Sequence, residues 1–407
     1  MDSHKTRQTP KRSSEAFEEL LEAPRGKPLA MLHSGDRGPA RLFTEPVGEL
    51  TIAPEDWEGA WARLEDFLAR QAGQVCVGWL GYDLRDDVET LPRSISDDFP
   101  VPVLHFVAYQ KSQEWEACAP PEGLFAEPAD ELRAHTSQSD YQERVARIVE
   151  HIHAGDLFQA NLTQPFTGRH RGDPRALFAS LCAASPAPMA AYLETSDGVS
   201  VLSSSPEEFL WLDDRAVRTR PIKGTRPRGV TREEDERLLK ELRASEKDCA
   251  ELAMIVDLLR NDLGKVAETG TVQVGPFPEH DSFAQVHHLL ATVTATLRED
   301  RSMVDLLRAT FPGGSITGAP KLRAMEIIED LEMVRRGVYT GAIGWIGPGS
   351  RMHLSIAIRT MVWKDGIIRF NTGGGITAES DPAEEFAETL HKAAGLAAAL
   401  RAEIQIP

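Results

Sequence analysis

Residues 245–264 read SEKDCAELAMIVDLLRNDLG and carry the pattern of one amphipathic helix. The segment ends on Gly264, a typical residue at a helix C-terminus. Apolar side chains recur with the 3.6-residue helical period at Leu252, Ile255, Val256 and Leu259. The stretch therefore predicts a long helix whose apolar face packs on a core.

One acidic residue, Glu251, lies inside the apolar part of this predicted helix. A carboxylate buried there has to be paired, protonated or bound to a metal, because burying an isolated charge is strongly unfavourable. The alternative is a glutamate that faces solvent or forms an ion pair with Lys247 or Arg260. Position alone leaves both interpretations open.

A second predicted helix runs from Pro382 to about residue 401, with Asp381 as its N-cap. Glu385 and Glu388 are three residues apart and therefore share one face of it. Two carboxylates one turn apart suit a hard cation such as Mg²⁺, which takes a few carboxylates together with water and substrate oxygens. A solvated acidic face near the helix N-terminus is the alternative.

Two glycine-rich segments, GGSITGAPK at 313–321 and GGG at 373–375, can bring backbone N–H groups close to an anion. Neither has the spacing of a phosphate loop or of a dinucleotide-binding turn, and tight turns are the alternative.

Lys223 lies between Ile222 and Gly224 at the end of a strand-like segment. If partly desolvated, this lysine would have a lowered pKa and could act as nucleophile or base; a solvated lysine is the alternative.

The chain has 407 residues and a formal net charge of −18. This length exceeds one ordinary core, so we expect an N-terminal lobe with a linker (25–137) and a catalytic domain (138–407). We expect the residues before them, 1–24, to form a disordered tail. An acidic protein repels phosphate backbones, so nucleic acid is not an expected partner. We find no apolar run of about 18 residues and no signal-peptide pattern, and therefore expect a cytoplasmic protein without membrane contact. The four cysteines lack CxxC spacing and suit reduced thiols.

Several segments, in the same order along the chain, resemble those of the chorismate-utilising enzymes. This family includes anthranilate synthase component I, aminodeoxychorismate synthase, isochorismate synthase and salicylate synthase. The resemblance covers 140–400 closely and 30–110 weakly. It rests on GDLFQANLTQ (155–164), SSPEEF (204–209), PIKGTRPRG (221–229), 251–264, HH (287–288), 311–321, YTGAIG (339–344), IRT (358–360) and 373–392. It implies an α/β (α+β) fold like that of anthranilate synthase component I, with two antiparallel sheets packed between helices and a central cleft.

The resemblance also implies a role for individual residues in a site for chorismate. Glu251 and Glu388, supported by Glu385, are implied to bind Mg²⁺, which would hold the ring carboxylate. Substrate contacts are implied for Gly224, Thr225, Ser315, Tyr339, Arg359 and Gly373, with Tyr339 and Arg359 on the enolpyruvyl carboxylate. Catalytic roles are implied for His288, for Lys223, and for Glu207 as the acid that assists loss of the hydroxyl.

Lys223 bears on which reaction the chain performs. Anthranilate synthases resemble PIAGT at this segment, whereas aminodeoxychorismate synthases resemble PIKGT, as here. The resemblance therefore implies that Lys223 attacks C2 of chorismate, and that ammonia from a separate glutamine amidotransferase subunit then adds at C4. The product would be 4-amino-4-deoxychorismate, for 4-aminobenzoate and folate synthesis.

Gln159 supports the same branch, because water-using members of the family carry a basic lysine at this position. Three alternatives stay open at this point. The chain could be an anthranilate synthase component I of tryptophan synthesis, or it could supply the same aminated product to a secondary metabolite. It could also be a catalytically inactive partner of the amidotransferase.

Overall fold

The computed structural model of the chain describes residues 13–35, 39–88, 91, 98–116, 120, 126–283 and 285–407. The helices are α1 (Ser13–Glu22), α2 (Ala60–Arg70), α3 (Gln138–His153), α4 (Pro174–Ala184), α5 (Arg232–Ala244), α6 (Glu246–Gly264), α7 (Met303–Thr310), α8 (Lys321–Leu331) and α9 (Pro382–Ala399). Short 3₁₀ turns lie at Tyr82–Asp87 and Gly314–Ile316.

The strands follow in chain order. They are β1 (Leu29–His33), β2 (Ala40–Phe43), β3 (Pro46–Ile52), β4 (Val75–Leu80), β5 (Leu104–Tyr109), β6 (Gln113–Trp115), β7 (Asp130–Ala134), β8 (Gln159–Arg169), β9 (Met189–Glu194), β10 (Ser200–Ser205) and β11 (Glu208–Asp213). They continue with β12 (Ala216–Arg220), β13 (Ile222–Pro227), β14 (Gln273–Val274), β15 (Glu279–Ser282), β16 (Val286–Leu290), β17 (Val293–Thr296), β18 (Gly318–Ala319), β19 (Ala342–Gly347), β20 (Arg351–Ile356), β21 (Thr360–Lys364) and β22 (Ile367–Ile376).

These strands form two large antiparallel sheets and one small sheet. The first sheet has the order β18-β8-β22-β21-β10-β9-β1-β2-β6, with β7 also paired to β8. The second has the order β14-β17-β12-β11-β20-β19-β4-β5-β3, and the small sheet is β13-β16-β15. Apolar side chains from both large sheets meet in one cluster, including Ala30 and Val201 from the first and Trp79 and Ile343 from the second. The two large sheets therefore pack face to face.

Helices cover the outer faces of this sandwich. The side chains of α1, α4 and α9 join the core on the first sheet, and those of α2, α6 and α7 join the core on the second. Strand β8 is buried along nearly its whole length because it has neighbours on both faces. The arrangement of two antiparallel sheets between helices, expected from the resemblance, is confirmed. None of the helices in the described ranges is both long and apolar enough to cross a bilayer.

The two helices predicted from local pattern form as expected. In α6, Ser245 is the N-cap and the predicted apolar residues Leu252, Ile255, Val256 and Leu259 are buried. In α9, the Asp381 carboxylate accepts hydrogen bonds from two backbone N–H groups of the first turn. Both results follow from caps and spacing, which act over a few residues of chain.

The N-terminal part of the chain differs from the expectation. Part of the segment expected as a disordered tail, 13–22, is helix α1, because Phe17 and Leu20 are buried in the core of the first sheet. The strands described between residues 25 and 137 join the two large sheets instead of forming a separate one: β1 pairs with β9 in the first sheet, and β4 pairs with β19 in the second. This lobe is therefore completed by strands from the catalytic part of the chain.

The segment expected as a linker also contains regular structure. Strand β7 lies within 119–137 and pairs with β8, because Leu132 and Ala134 are buried in the same core. The helix that follows, α3, has Ser137 as its N-cap, whose side chain accepts a hydrogen bond from the Asp140 N–H. Residues 1–12, 119 and 121–125, together with Cys118, lie outside the described residues. The other cysteines, Cys76, Cys182 and Cys249, are free thiols.

Candidate functional site

The amine of Lys223 and the side-chain amide of Gln159 come close to each other beside β22. Gly375 pairs with Asn161 across the two strands, so it lies beside the start of β8, where Gln159 begins the strand. A Cβ atom on Gly375 would overlap the side-chain amide of Gln159 and would lie 3.3 Å from Lys223 Nζ. The missing side chain at 375 therefore leaves the space in which these two groups meet.

Lys223 on β13 is surrounded by other charged groups. Burial lowers the pKa of its amine and the charge of Lys392 lowers it further, while Glu251, Glu207 and Glu388 act in the opposite direction. The net shift is downward, which increases the fraction of neutral amine at physiological pH. A neutral amine is the form that acts as a nucleophile.

Glu207 lies between β10 and β11 and is only 5% exposed. Burial raises the pKa of its carboxyl to about 7, although a hydrogen bond with the Ser315 side chain and the nearby charge of Lys223 lower it. A carboxyl with this pKa carries its proton in a substantial fraction of molecules at neutral pH. It can therefore donate that proton to a leaving group.

Three acidic residues predicted as metal ligands lie on the α6 and α9 side of the site. Glu385 is buried; its Oε1 accepts from the Ser380 hydroxyl at 2.6 Å, and its Oε2 has no hydrogen-bond partner among the described residues. A Cβ atom on Gly374 would lie 2.8 Å from Glu385 Oε2 and 3.6 Å from Glu388 Oε1, so the glycine leaves space beside both carboxylates. Burial raises the pKa of Glu251 and of Glu385.

Glu388 differs from the other two carboxylates. Its side chain is half exposed and its Oε1 lies 2.6 Å from Lys392 Nζ. Burial alone would raise the pKa of Glu388, but the ion pair with Lys392 outweighs it and the net shift is downward. Across the described residues, no three acidic, histidine or cysteine side chains are already close enough together to hold a metal.

His288 and Thr225 face each other across the small sheet. Their side chains share a hydrogen bond of 2.9 Å, and burial, with a contribution from the nearby charge of Arg359, lowers the pKa of His288 to about 4. The imidazole is therefore neutral at physiological pH. The adjoining Gly224 has a φ of +75°, and a Cβ atom there would lie 2.8 Å from Asp248 Cγ, so both backbone shape and space require glycine.

Arg359 has an unusual backbone and a half-buried side chain. Its φ of +50° is in the left-handed region, where its carbonyl oxygen accepts a hydrogen bond from the Ser204 N–H at 3.0 Å. Burial lowers the pKa of its guanidinium. Within the described part of the chain it forms no ion pair, which leaves its charge available to an anion.

Tyr339 and Gly373, the remaining residues predicted to contact the substrate, lie in two other parts of the structure. Tyr339 is buried, which raises the pKa of its phenol, and it lines a small cavity together with Arg336, Thr360 and Asn371. Its described contacts do not include the group around Lys223. The carbonyl of Gly373 accepts from Lys392 Nζ at 2.8 Å, which ties β22 to α9.

Two residues that shape the site, Gly374 and Gly375, were missed by the sequence analysis. Both act through the absence of a side chain. The GGG run was recognised as a possible anion contact, but a glycine that makes room for Gln159 and Lys223 gives no local signal. Ser380, which holds Glu385, was also missed. Its position just before the N-cap of α9 was the signal that could have indicated it.

The chain matches the family model described as "chorismate binding enzyme" over residues 27–398. It belongs to the chorismate-binding enzyme family. It is 46% identical over 280 residues to anthranilate synthase component 1 of Streptomyces coelicolor, covering 68% of this chain and 55% of that protein. It is 41% identical over 338 residues to aminodeoxychorismate synthase component 1 of Klebsiella aerogenes, covering 78% of this chain and 75% of that protein.

A solved structure supports the same assignment of fold. The crystal structure of anthranilate synthase component I from Streptococcus pneumoniae is 28% identical and superposes with a TM-score of 0.75, covering 89% of this chain and 92% of that one. The chain spans about half the length of its Streptomyces coelicolor relative. Because relatives of both names are similar to it, the comparisons support a chorismate-utilising enzyme without separating the two branches.

Proposed function

We propose that this chorismate-utilising enzyme converts chorismate and ammonia to 4-amino-4-deoxychorismate. The observation that carries the proposal is the environment of Lys223, whose half-buried side chain brings its amine beside Gly375 and Gln159, where its pKa is lowered. A neutral amine in that position can attack the substrate, whereas the alanine found in PIAGT segments cannot. The PIKGT sequence at 221–225 supports the same branch.

The two displacements can be written with these residues. Lys223 Nζ forms a bond to C2 of chorismate, the conjugated double bonds of the ring shift, and the C4–O bond breaks; the shift is reversed in the second displacement. The protonated carboxyl of Glu207 supplies the proton that lets the oxygen leave as water. Ammonia then forms a bond to C4 as the C2–Nζ bond breaks, which returns Lys223 to its neutral form. The added nitrogen gives its extra proton back to Glu207, so the products are 4-amino-4-deoxychorismate and water.

Ammonia fits this site better than water does. Gln159 has no basic group that could remove a proton from water, and unprotonated ammonia needs no such help. We propose that a separate glutamine amidotransferase subunit supplies the ammonia and that the product serves 4-aminobenzoate and folate synthesis. The free thiols of Cys76, Cys182 and Cys249 are compatible with the reducing cytoplasm, where we propose that the protein acts.

We further propose that Glu251, Glu385 and Glu388 hold Mg²⁺. These residues fit such an ion because the donors are carboxylate oxygens and because Glu385 Oε2 is buried without a hydrogen-bond partner in the part of the chain that the structure describes. When bound, the ion would neutralise a carboxylate of chorismate. The chain places the carboxylates of Glu385 and Glu388 beside the space above Gly374, and Lys392 would balance part of their charge.

Gly374→Ala tests the metal proposal with a small change. The new methyl group would lie beside Glu385 Oε2, so we expect the Mg²⁺ concentration for half-maximal activity to rise roughly tenfold or more. The stabilisation that Mg²⁺ gives in thermal melts should weaken in parallel, a readout that needs no turnover. Gly264→Ala is the matched control, because a Cβ atom there meets nothing within 4 Å. Identical Mg²⁺ titrations for both variants would remove these carboxylates from the ligand set.

A product assay tests the proposed reaction. The purified chain is incubated with chorismate, Mg²⁺ and ammonium at mildly alkaline pH, where more ammonia is unprotonated, with and without an aminodeoxychorismate lyase. We expect 4-aminobenzoate only when the lyase is present, and no product when ammonium is left out. Glutamine should replace ammonium only when an amidotransferase subunit is added. Anthranilate formed without the lyase would overturn the proposal and assign the chain to the other branch.

A further inference from the structure

A buried ion pair between Glu332 and Arg336 lies at the C-terminal end of α8. Arg336 is 4% exposed and binds Glu332 through two parallel hydrogen bonds, Nε to Oε2 at 2.8 Å and Nη2 to Oε1 at 2.7 Å. This bidentate geometry is the strongest that an arginine and a carboxylate can adopt. It fixes the plane of the guanidinium and so the directions of its other N–H groups.

The other N–H groups of Arg336 reach three separate segments of the chain. Nη1 donates to the carbonyl of Ile316 at 3.0 Å and is 3.3 Å from the Thr340 hydroxyl, and Nη2 donates to the carbonyl of Asn161 at 2.6 Å. One side chain thus joins the 3₁₀ turn at 314–316, the segment before β19 and the start of β8. Burial makes these bonds strong, because no water competes for them.

Glu332 also binds directly to β8. In addition to Arg336, its Oε1 accepts hydrogen bonds from the backbone N–H and the hydroxyl of Thr163, at 2.9 Å and 2.8 Å. Thr163 and Asn161 are alternate residues of β8, so the backbone groups that the ion pair holds lie along one edge of that strand. The pair therefore sets where the beginning of β8 lies relative to the other two segments.

Each segment held by Arg336 carries a site residue next to its point of contact. Ser315, which shares a hydrogen bond with Glu207, directly precedes Ile316. Tyr339 directly precedes Thr340, a β-branched residue held at a φ of +61°, where such residues are uncommon and need support from their surroundings. Gln159 is two residues before Asn161 on the same face of β8.

We propose that Arg336, oriented by Glu332, is a positioning residue of the chorismate site that fixes the segments of Ser315, Tyr339 and Gln159 relative to one another. It reaches backbone and hydroxyl groups beside the site residues and not the group around Lys223, so its effect passes through its neighbours. This inference rests on the proposed use of the site for chorismate turnover, but not on which product leaves it.

The chain contains a matched control for this ion pair. Arg85 is also buried, pairs with Glu329 of α8, and donates to the Tyr82 hydroxyl at 3.1 Å. The guanidinium groups of Arg85 and Arg336 lie against the same Tyr82 ring, 4.7 Å and 4.6 Å from its centre. The contacts described for Arg85 reach none of the three segments. Replacing it should disturb the same region of the core without moving the site.

The test compares Arg336→Met, Arg336→Lys and Arg85→Met in the full chain, with chorismate consumption as the readout. We expect Arg336→Met to lower kcat/KM roughly a hundredfold, with a higher KM for chorismate, because a small misplacement of site residues has effects of that size. Arg336→Lys should recover part of the loss, since an ammonium retains some of the donors. Arg85→Met should lower the Tm to a similar extent but leave kcat/KM unchanged.

The pH profile adds a readout that loss of stability alone would not change. If Ser315 moves away, Glu207 loses a hydrogen bond that lowers its pKa, so the alkaline limb of kcat should move to higher pH in the Arg336 variants only. Equal losses of kcat/KM in Arg336→Met and Arg85→Met would overturn the proposal. If Arg336→Met does not fold, Arg336→Lys decides: full activity with an unmoved pH limb would equally overturn it. Production of anthranilate would count against the proposed function only.

Discussion

Lys223→Ala abolishes the formation of 4-amino-4-deoxychorismate, with an expected loss of roughly a thousandfold or more, as when other enzymes lose their covalent nucleophile. The reason is that the variant has no amine to displace the hydroxyl from the C2 side, while the residues proposed to bind chorismate and Mg²⁺ are unchanged. Any remaining turnover is expected to divert to anthranilate. Products are resolved by mass spectrometry, with aminodeoxychorismate lyase added in one set of reactions.

The covalent step can be observed directly in the unaltered chain. With ammonium left out, the first displacement can occur but the second cannot, so an adduct should accumulate whose mass is that of the chain plus chorismate minus water. Acid quenching followed by intact-mass measurement detects it, and peptide mapping should place it on Lys223. Lys265→Ala, at an exposed lysine paired with Asp262, is the control and should retain both the adduct and the activity. Normal amination by Lys223→Ala would exclude the nucleophile role.

The parts of the fold that were predicted correctly depend on interactions over short stretches of chain. Helices α6 and α9 could be predicted because the N-caps Ser245 and Asp381 and the apolar stripes lie within a few turns of one another. The pairing of the N-terminal strands could not be predicted, because their partners lie far away in sequence. Strand β1 pairs with β9 about 160 residues later, and no local pattern reveals such a partner.

The residues of the candidate site likewise fall into two groups, those that the local sequence indicates and those that it does not. The residues themselves allowed Glu251, Glu385, Glu388 and Lys223 to be singled out, each with an ordinary alternative. Glu207 has no unusual local pattern, and its role came from the family resemblance alone. Its raised pKa depends on burial between elements that are distant in sequence, together with Ser315 more than a hundred residues away. Such an environment exists only after folding.

Glu207→Gln is expected to lower kcat by roughly a hundredfold to ten-thousandfold, the usual contribution of a positioned general acid, while chorismate still binds. Glutamine keeps the shape and polarity of the side chain but has no proton to give to the departing hydroxyl. In the unaltered chain, the required form is the protonated one, so kcat should fall as pH rises through about 7. The variant should lack this alkaline limb. Free ammonia is held constant across the series, because otherwise its own titration would mask the effect.

Thermal unfolding separates this result from a loss of structure. Because the folded-state pKa of Glu207 is raised, the stability that its proton provides is present at low pH and is lost as pH rises through about 7. Above that pH, the unaltered chain carries a buried anion that the glutamine variant lacks. Glu207→Gln should therefore match the unaltered chain in Tm near pH 5 and exceed it in alkaline solution, where its activity is also compared. A variant that is less stable at alkaline pH would contradict the raised pKa of Glu207, and one that retains the alkaline limb of kcat would show that another group donates the proton.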